Sequence, residues 1–332
     1  GYGAVDEIYK GVLRRWVTGL LGKLVGTYKD GSSEQAKFAG TAGLVMDGVA
    51  DCESAIRFHE MALAIDIKTQ GREGFPIKAV SDGYVSRIKV STYGYGKAIY
   101  ITHFDGNTSV YAHLKKFSSP VVEKVREKQY NTESFEVELF LDPEELPVSK
   151  NQIIGFSGNT GNSFAPHLHF EYRSSKSEPL NPLTMGFSDL PDNVIPIPKE
   201  LAIIPASKNT IINASPLTQI IPLFRDKTGT YHFADTISVF SEFAFALKAV
   251  DKREGANNIY QFHKVELRIN NKVEFGLEYS KIPFSQSKFA KTIIEYDLKR
   301  KNLGEFQKLY RLEEHKKTTL HNTDKNGILT LP

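Results

Sequence analysis

"FAPHLHFEY", residues 164–172, sets two histidines, His167 and His169, on either side of one leucine. In an extended strand, residues two apart project from the same face. The two imidazoles therefore point together, while Leu168 and Phe170 point the other way. That alternation predicts a β-strand with one apolar face, and the chain around it repeats the texture. "AIDIK" (64–68) sets Ile65 and Ile67 against Asp66. "SDGYVSRIKVS" follows a DG turn, with Tyr84, Ser86, Ile88 and Val90 opposing Val85, Arg87 and Lys89. "YGYGKAIYITHFDGNTSVYAHL" reads as two strands around an FDGN hairpin turn. Residues 118–150 read as an excursion with an acidic stretch.

Before this region, residues 4–28 predict an amphipathic helix. Val5, Ile8, Tyr9, Val12, Leu13, Trp16, Val17, Leu20, Leu21, Leu24 and Val25 recur at three- and four-residue steps, although Gly11, Gly19 and Gly22 weaken it. After it, "EPLNPLTMGFSDLPDNVIPIPKE" carries five prolines and reads as a boundary. Beyond the boundary, short alternating runs and an NN turn suit a β-sandwich, and "SKFAKTIIEYDLKRKNLGEFQKLY" has room for a helix.

Composition narrows the function classes. The 332 residues are 40% hydrophobic and 24% charged, which suits a globular chain of two domains. A net charge of +3, with no Lys/Arg block, argues against a nucleic-acid partner. Cys52 is the single cysteine, which rules out an intramolecular disulfide and a cysteine-based zinc knuckle. No apolar run reaches the ~18 residues of a membrane span. The opening GYGAVDE lacks an initiator Met, consistent with a removed leader.

Four features bear on chemistry. The histidine pair could share a metal, or one ring could bind it while the other handles a proton. Alone, such a pair is more often solvated than functional. His113, in "SVYAHL", falls on the strand face opposite Val110, Ala112 and Leu114, which predicts a residue outside the core. Asp66 supplies a carboxylate at the start of the strand region. "GFSGNTGNSF" places glycines where backbone could approach a ligand closely. His103 shares the Ile99/Ile101 face and reads as structural, as do His232, His263, His315 and His321.

"DIKTQGREGFPIKAVSDGYVSRI", "GYGKAIYITHFDGNTSVYAHL" and "IIGFSGNTGNSFAPHLHFEYR" together resemble the lysostaphin/LytM-type zinc endopeptidases of bacterial cell walls, over roughly residues 64–185. The tail is similar, more loosely, to the Ig-like module that follows such domains in some Gram-negative members. The resemblance implies one zinc ion, with ligands at Asp66 and His169. It implies that His113 and His167 position and deprotonate a water and steady the tetrahedral oxyanion. It further implies a bacterial periplasmic or cell-envelope location, with peptidoglycan peptides as substrate. The C-terminal domain becomes a candidate surface for an envelope protein partner.

The resemblance breaks at the family's first ligand, the histidine four residues before the aspartate. Ala62 stands there, and Ala64 stands at the glycine position, in "HEMALAID". The substitute is His59, with Glu60 a further candidate. Seven residues of helix separate side chains by ~10.5 Å, and an odd separation in a strand puts them on opposite faces. Only a turn within "EMALA" would bring His59 to Asp66.

The expected protein is mainly β. A helical N-terminal segment (1–63) precedes an antiparallel LytM-like domain (64–185) and an Ig-like β-sandwich (186–332). The expected activity is zinc-dependent cleavage of peptidoglycan cross-links. The alternative is a zinc-free domain that binds wall peptides or regulates another wall hydrolase.

Overall fold

The computed structural model describes residues 64–182, 194–234, 236–252, 262–286, 289, 291–312 and 318–330, together with the backbone of strands at 16–18, 20–21, 23–26 and 40–47. The chain divides into two compact units. One comprises Ala62–Met185 with Lys281–Phe284, and the other the remainder. Most strand pairs are antiparallel, as the resemblance implies for residues 64–185.

In the first unit the strands are β1 (Ala64–Lys68), β2 (Pro76–Lys78), β3 (Gly83–Val90), β4 (Lys97–His103), β5 (Thr108–Ala112) and β6 (Lys116–Phe117). Helix α1 (Val121–Thr132) follows, then β7 (Val137–Phe140), β8 (Pro147–Val148), β9 (Ile153–Phe156), β10 (His167–Arg173) and β11 (Pro179–Leu180). The main sheet runs β7-β3-β4-β5-β10-β11, with β1 also on β10 and β8 also on β3. A smaller sheet runs β6-β9-β2. The FDGN turn joins β4 to β5, with Gly106 at φ 83, a conformation glycine adopts at little cost.

Strict alternation fails in one instructive place. It puts Val85 and Ile88 on opposite faces of β3, yet both are fully buried. A register shift between Val85 and Arg87, where β3 meets β4, returns Ile88 to the core side. A bulge of this kind inserts one residue and resets the parity. The core of the sheet then includes Val85, Ile88, Ile99, Ile101, Tyr111 and Phe170.

In the second unit, Ile197–Pro205 pairs with Glu242–Val250, flanked by Gln219–Pro222 and Gln307–Lys308. The NN turn is a two-residue hairpin between Lys264–Ile269 and Lys272–Glu278, with Asn270 and Asn271 both at positive φ, as a type I′ turn requires. Among the described residues of the 287–310 region, a short helix spans Tyr296–Arg300.

The helix expected over 4–28, in the 1–63 segment, falls largely outside the described residues. Where its backbone is described, at Trp16–Thr18, Leu20–Leu21 and Lys23–Gly26, it is strand. Trp16, Val17 and Thr18 favour extended backbone, and Gly19 and Gly22 are poor helix formers. Among the described residues no helix is long and apolar enough to cross a membrane.

Candidate metal and catalytic site

Strand β10 carries the site. It lies between β1 and β5, and its register puts His169 opposite Asp66 on one side and Ala112 on the other. Leu168 and Phe170 face the core at 6% and 2% exposure. The histidine face therefore looks away from the main core, as alternation predicts. Pairing with β1 brings Asp66 Oδ1 to 2.9 Å from His169 Nδ1 and 3.6 Å from His167 Nε2.

His113 arrives from β5 in an unexpected way. The strand ends at Ala112, and His113 turns into the left-handed region at φ 58. It is also buried, at 6% exposure, instead of lying open opposite Val110 and Leu114. The strand-face reading assumed extended backbone through residue 113, and the change of φ removes that premise. Backbone held in this region by a non-glycine residue is costly and concentrates at functional sites. The His113 ring centroid lies 4.8 Å from that of His167 and 5.7 Å from that of His169. One nitrogen from each of His113, His167 and His169 lies within 4.8 Å of the others.

Hydrogen bonds assign the protons. His113 Nδ1 is 2.7 Å from the Thr160 carbonyl, and His167 Nδ1 is 2.8 Å from the Ala165 carbonyl. A carbonyl only accepts, so both Nδ1 atoms donate and both Nε2 atoms keep a lone pair when the rings are neutral. Burial pushes the His113 imidazole down, the bond to Thr160 works against it, and His169 and His167 add to the fall. The pKa drops to about 4. For His169 burial also acts downward, but bonds to Asp66 and Glu171, with the charge of both carboxylates, raise the imidazole to about 9. Burial acts to raise Asp66, but the His169 bond and the charges of His169, His167 and His113 hold it below the usual carboxylate range.

The glycines of "GFSGNTG" serve the protein's own packing more than a ligand's approach. A Cβ on Gly158 would lie 2.3 Å from the Lys115 amide nitrogen and 2.8 Å from the His113 carbonyl oxygen. A Cβ on Gly161 would lie 2.3 Å from the Gly94 carbonyl oxygen, and one on Gly96 would meet Thr160. Two loops thus pack backbone to backbone, which sets the Thr160 carbonyl against His113.

Three residues of the site were missed by the sequence reading: Tyr95, Glu171 and Arg173. Tyr95 stacks on His169 with centroids 5.2 Å apart, and its hydroxyl donates to Glu171. Glu171 is fully buried, accepts from His169 Nε2 at 2.9 Å and pairs with Arg173 at 2.7 Å. The available signal was the continuation of the histidine parity, 167, 169, 171, 173, into charged residues. His103 is bonded to the Asp82 carbonyl and the Ser109 hydroxyl, the structural role expected. His232 pairs with Asp226. His59, Glu60 and Ala62 lie outside the described residues.

Residues 60–134 match Peptidase family M23. DD-carboxypeptidase/endopeptidase Mpg of Neisseria meningitidis serogroup B is 32% identical over 128 residues, 39% of this chain and 24% of that protein. Glycyl-glycine endopeptidase ALE-1 of Staphylococcus capitis is 34% identical over 99 residues, 30% of this chain and 21% of that one. Among solved structures, the catalytic domain of lysostaphin from Staphylococcus simulans aligns at 22% identity with a TM-score of 0.25, covering 54% of this chain and 95% of that one. The chain spans about a quarter of the length of the curated relatives it matches. Residues 60–134 thus carry an M23-type match, and the chain is similar in part to peptidases of the lysostaphin/LytM type.

Proposed function

We propose that this domain is a zinc-dependent endopeptidase that hydrolyses the peptide cross-links of bacterial peptidoglycan at the cell envelope. One observation carries the reading. His113 and His167 each anchor Nδ1–H on a backbone carbonyl, keeping Nε2 as a proton acceptor within a cluster that includes Asp66 and His169.

The donor set fits a zinc ion. Neutral His167 would present an Nε2 lone pair to the Asp66 carboxylate at 3.6 Å, two acceptors facing one another. A cation between them removes that conflict, and nitrogen with carboxylate oxygen is the donor chemistry zinc takes. Asp66 and His169 would hold it. His59 is the substitute third ligand that the sequence offers where Ala62 breaks the resemblance, and His167 Nε2 is the substitute among the described residues. Zinc bound there supplies a Lewis acid beside a peptide carbonyl. His113 is neutral at neutral pH and can take a proton at Nε2 from the attacking water. His167, when not a ligand, can steady charge on the carbonyl oxygen. Peptidoglycan peptides are the substrate this reading names. The Ig-like reading of residues 186–332, as a surface for an envelope protein partner, belongs to the same proposal.

Ala62, standing where the family has its first ligand, favours a second reading, a wall-binding domain without catalysis. The test is release of soluble peptides from purified peptidoglycan, with zinc and with chelator. Chelator-sensitive release supports the enzyme. Sedimentation of the protein with peptidoglycan and no release favours the second reading.

A further inference from the structure

We propose that Glu171 is a positioning residue for the metal site, a reading that rests on the zinc proposal above. It holds His169 by Nε2 so that Nδ1 faces Asp66, and it is itself clamped by Arg173 and Tyr95.

The atoms form an unbroken chain. Glu171 Oε1 lies 2.9 Å from His169 Nε2, and His169 Nδ1 lies 2.9 Å from Asp66 Oδ1. A carboxylate accepts hydrogen bonds, so Glu171 holds the ring hydrogen on Nε2 and leaves Nδ1 for Asp66 and an ion shared with it. Glu171 Oε2 takes the Arg173 Nε hydrogen at 2.7 Å, and the Tyr95 hydroxyl closes on Oε1. The Tyr95 ring stacks on the imidazole, so one residue fixes both the plane of His169 and the carboxylate behind it.

Burial makes this arrangement specific. Glu171 is fully buried and Arg173 is 8% exposed. A buried ion pair is retained only where its geometry is good, and replacing it with apolar residues often costs nothing in stability. Stability alone therefore gives little reason for a charged pair behind His169, whereas orienting a ligand imidazole requires a fixed acceptor at that place. The Arg173 guanidinium is in turn covered by Phe284, 4.8 Å from the ring centroid. Phe284 belongs to the Lys281–Phe284 segment, which joins this unit from a distant part of the sequence. Lys281 pairs with Glu178 at 3.2 Å, and the Ile282 amide donates to the Pro179 carbonyl. The support of His169 thus extends from Asp66 to a strap about a hundred residues past β11.

The experiment uses the full chain. Zinc affinity is measured by competition with a chromophoric chelator for wild type, Glu171→Gln and Tyr95→Phe. The zinc-loaded proteins are then examined by nitrogen-15 NMR of the His169 ring. Glu171→Gln should weaken zinc ~10–100-fold, the usual loss for a partner of a metal-ligating histidine. It should also broaden or displace the Nε2–H signal that wild type shows. Tyr95→Phe keeps the stacked ring, loses one bond to Glu171 and should weaken zinc several-fold. It keeps the test decisive should Glu171→Gln leave Arg173 unpaired and fail to fold. Unchanged affinity and an unchanged His169 signal in the folded variants overturn the positioning role while the zinc reading stands. Wild type that takes up no zinc at all sinks both.

Discussion

His113→Ala separates the chemistry of the site from its packing. The imidazole donates one hydrogen bond to Thr160, is 6% exposed, and sits on backbone at φ 58. Losing the bond and the buried ring should cost about 1–3 kcal/mol, which leaves the domain folded. The backbone makes a second, sharper expectation. Alanine at positive φ keeps a strain of roughly 1–2 kcal/mol that glycine lacks. Glycine gives back about 0.4–1 kcal/mol through the freedom of its unfolded chain. His113→Gly should therefore be more stable than His113→Ala by roughly 0.5–1 kcal/mol, although it deletes more atoms. Both variants should keep zinc and slow peptidoglycan digestion by ~10²-fold or more, the scale of a positioned acid/base group. The assays are denaturant unfolding, zinc content and release of soluble peptides, run on all three proteins. Two results would overturn these roles for His113. Zinc lost with the imidazole would make His113 a ligand, and glycine less stable than alanine would mean the left-handed backbone is absent in solution.

Other outcomes follow from the same geometry. His169→Ala should abolish zinc uptake by elemental analysis, whereas His103→Ala, which alters only a structural bond network, should keep it. Gly158→Ala has no room beside the Lys115 amide. It should destabilise by about 1–3 kcal/mol through forced backbone shifts and reduce digestion with it, read by unfolding and peptide release. Ala62→His should tighten zinc in a chelator competition by restoring a third ligand, and unchanged affinity would mean His59 or His167 already fills that role. For pH, the His169 pKa is raised above its unfolded value of about 6.5 to about 9. Its contribution to the metal-free protein is therefore fully present below pH ~6.5 and lost as pH rises through about 9. Melting of the chelator-treated chain should fall over that window, and His169→Ala should flatten the fall.

Much of the site was legible because parity in a strand is a local property. The spacing of His167 and His169, the core face of Leu168 and Phe170, the hairpin turn at Asp105–Gly106 and the turn at Asn270–Asn271 each depend on a few adjacent residues. The approach of Asp66 to His169 is a matter of register between distant strands, and it entered only through the resemblance. What stayed hidden depends on backbone excursions and on tertiary partners. The bulge in β3 moved Ile88 to the core, and the left-handed turn at His113 buried a ring that alternation left outside. Glu171 and Arg173 went unnoticed because their burial depends on neighbouring strands and on the Phe284 segment. The glycines around Thr160 were read for a ligand, yet they accommodate the neighbouring Gly94–Gly96 loop.

Digestion of purified peptidoglycan in heavy-oxygen water, with the fragments weighed, shows whether this cluster breaks peptide bonds. Zinc-dependent release of peptides whose new carboxylates carry one heavy oxygen is expected, with release lost in His167→Ala and His169→Ala. Zinc-loaded wild type that binds peptidoglycan but leaves it unlabelled and intact would contradict that expectation.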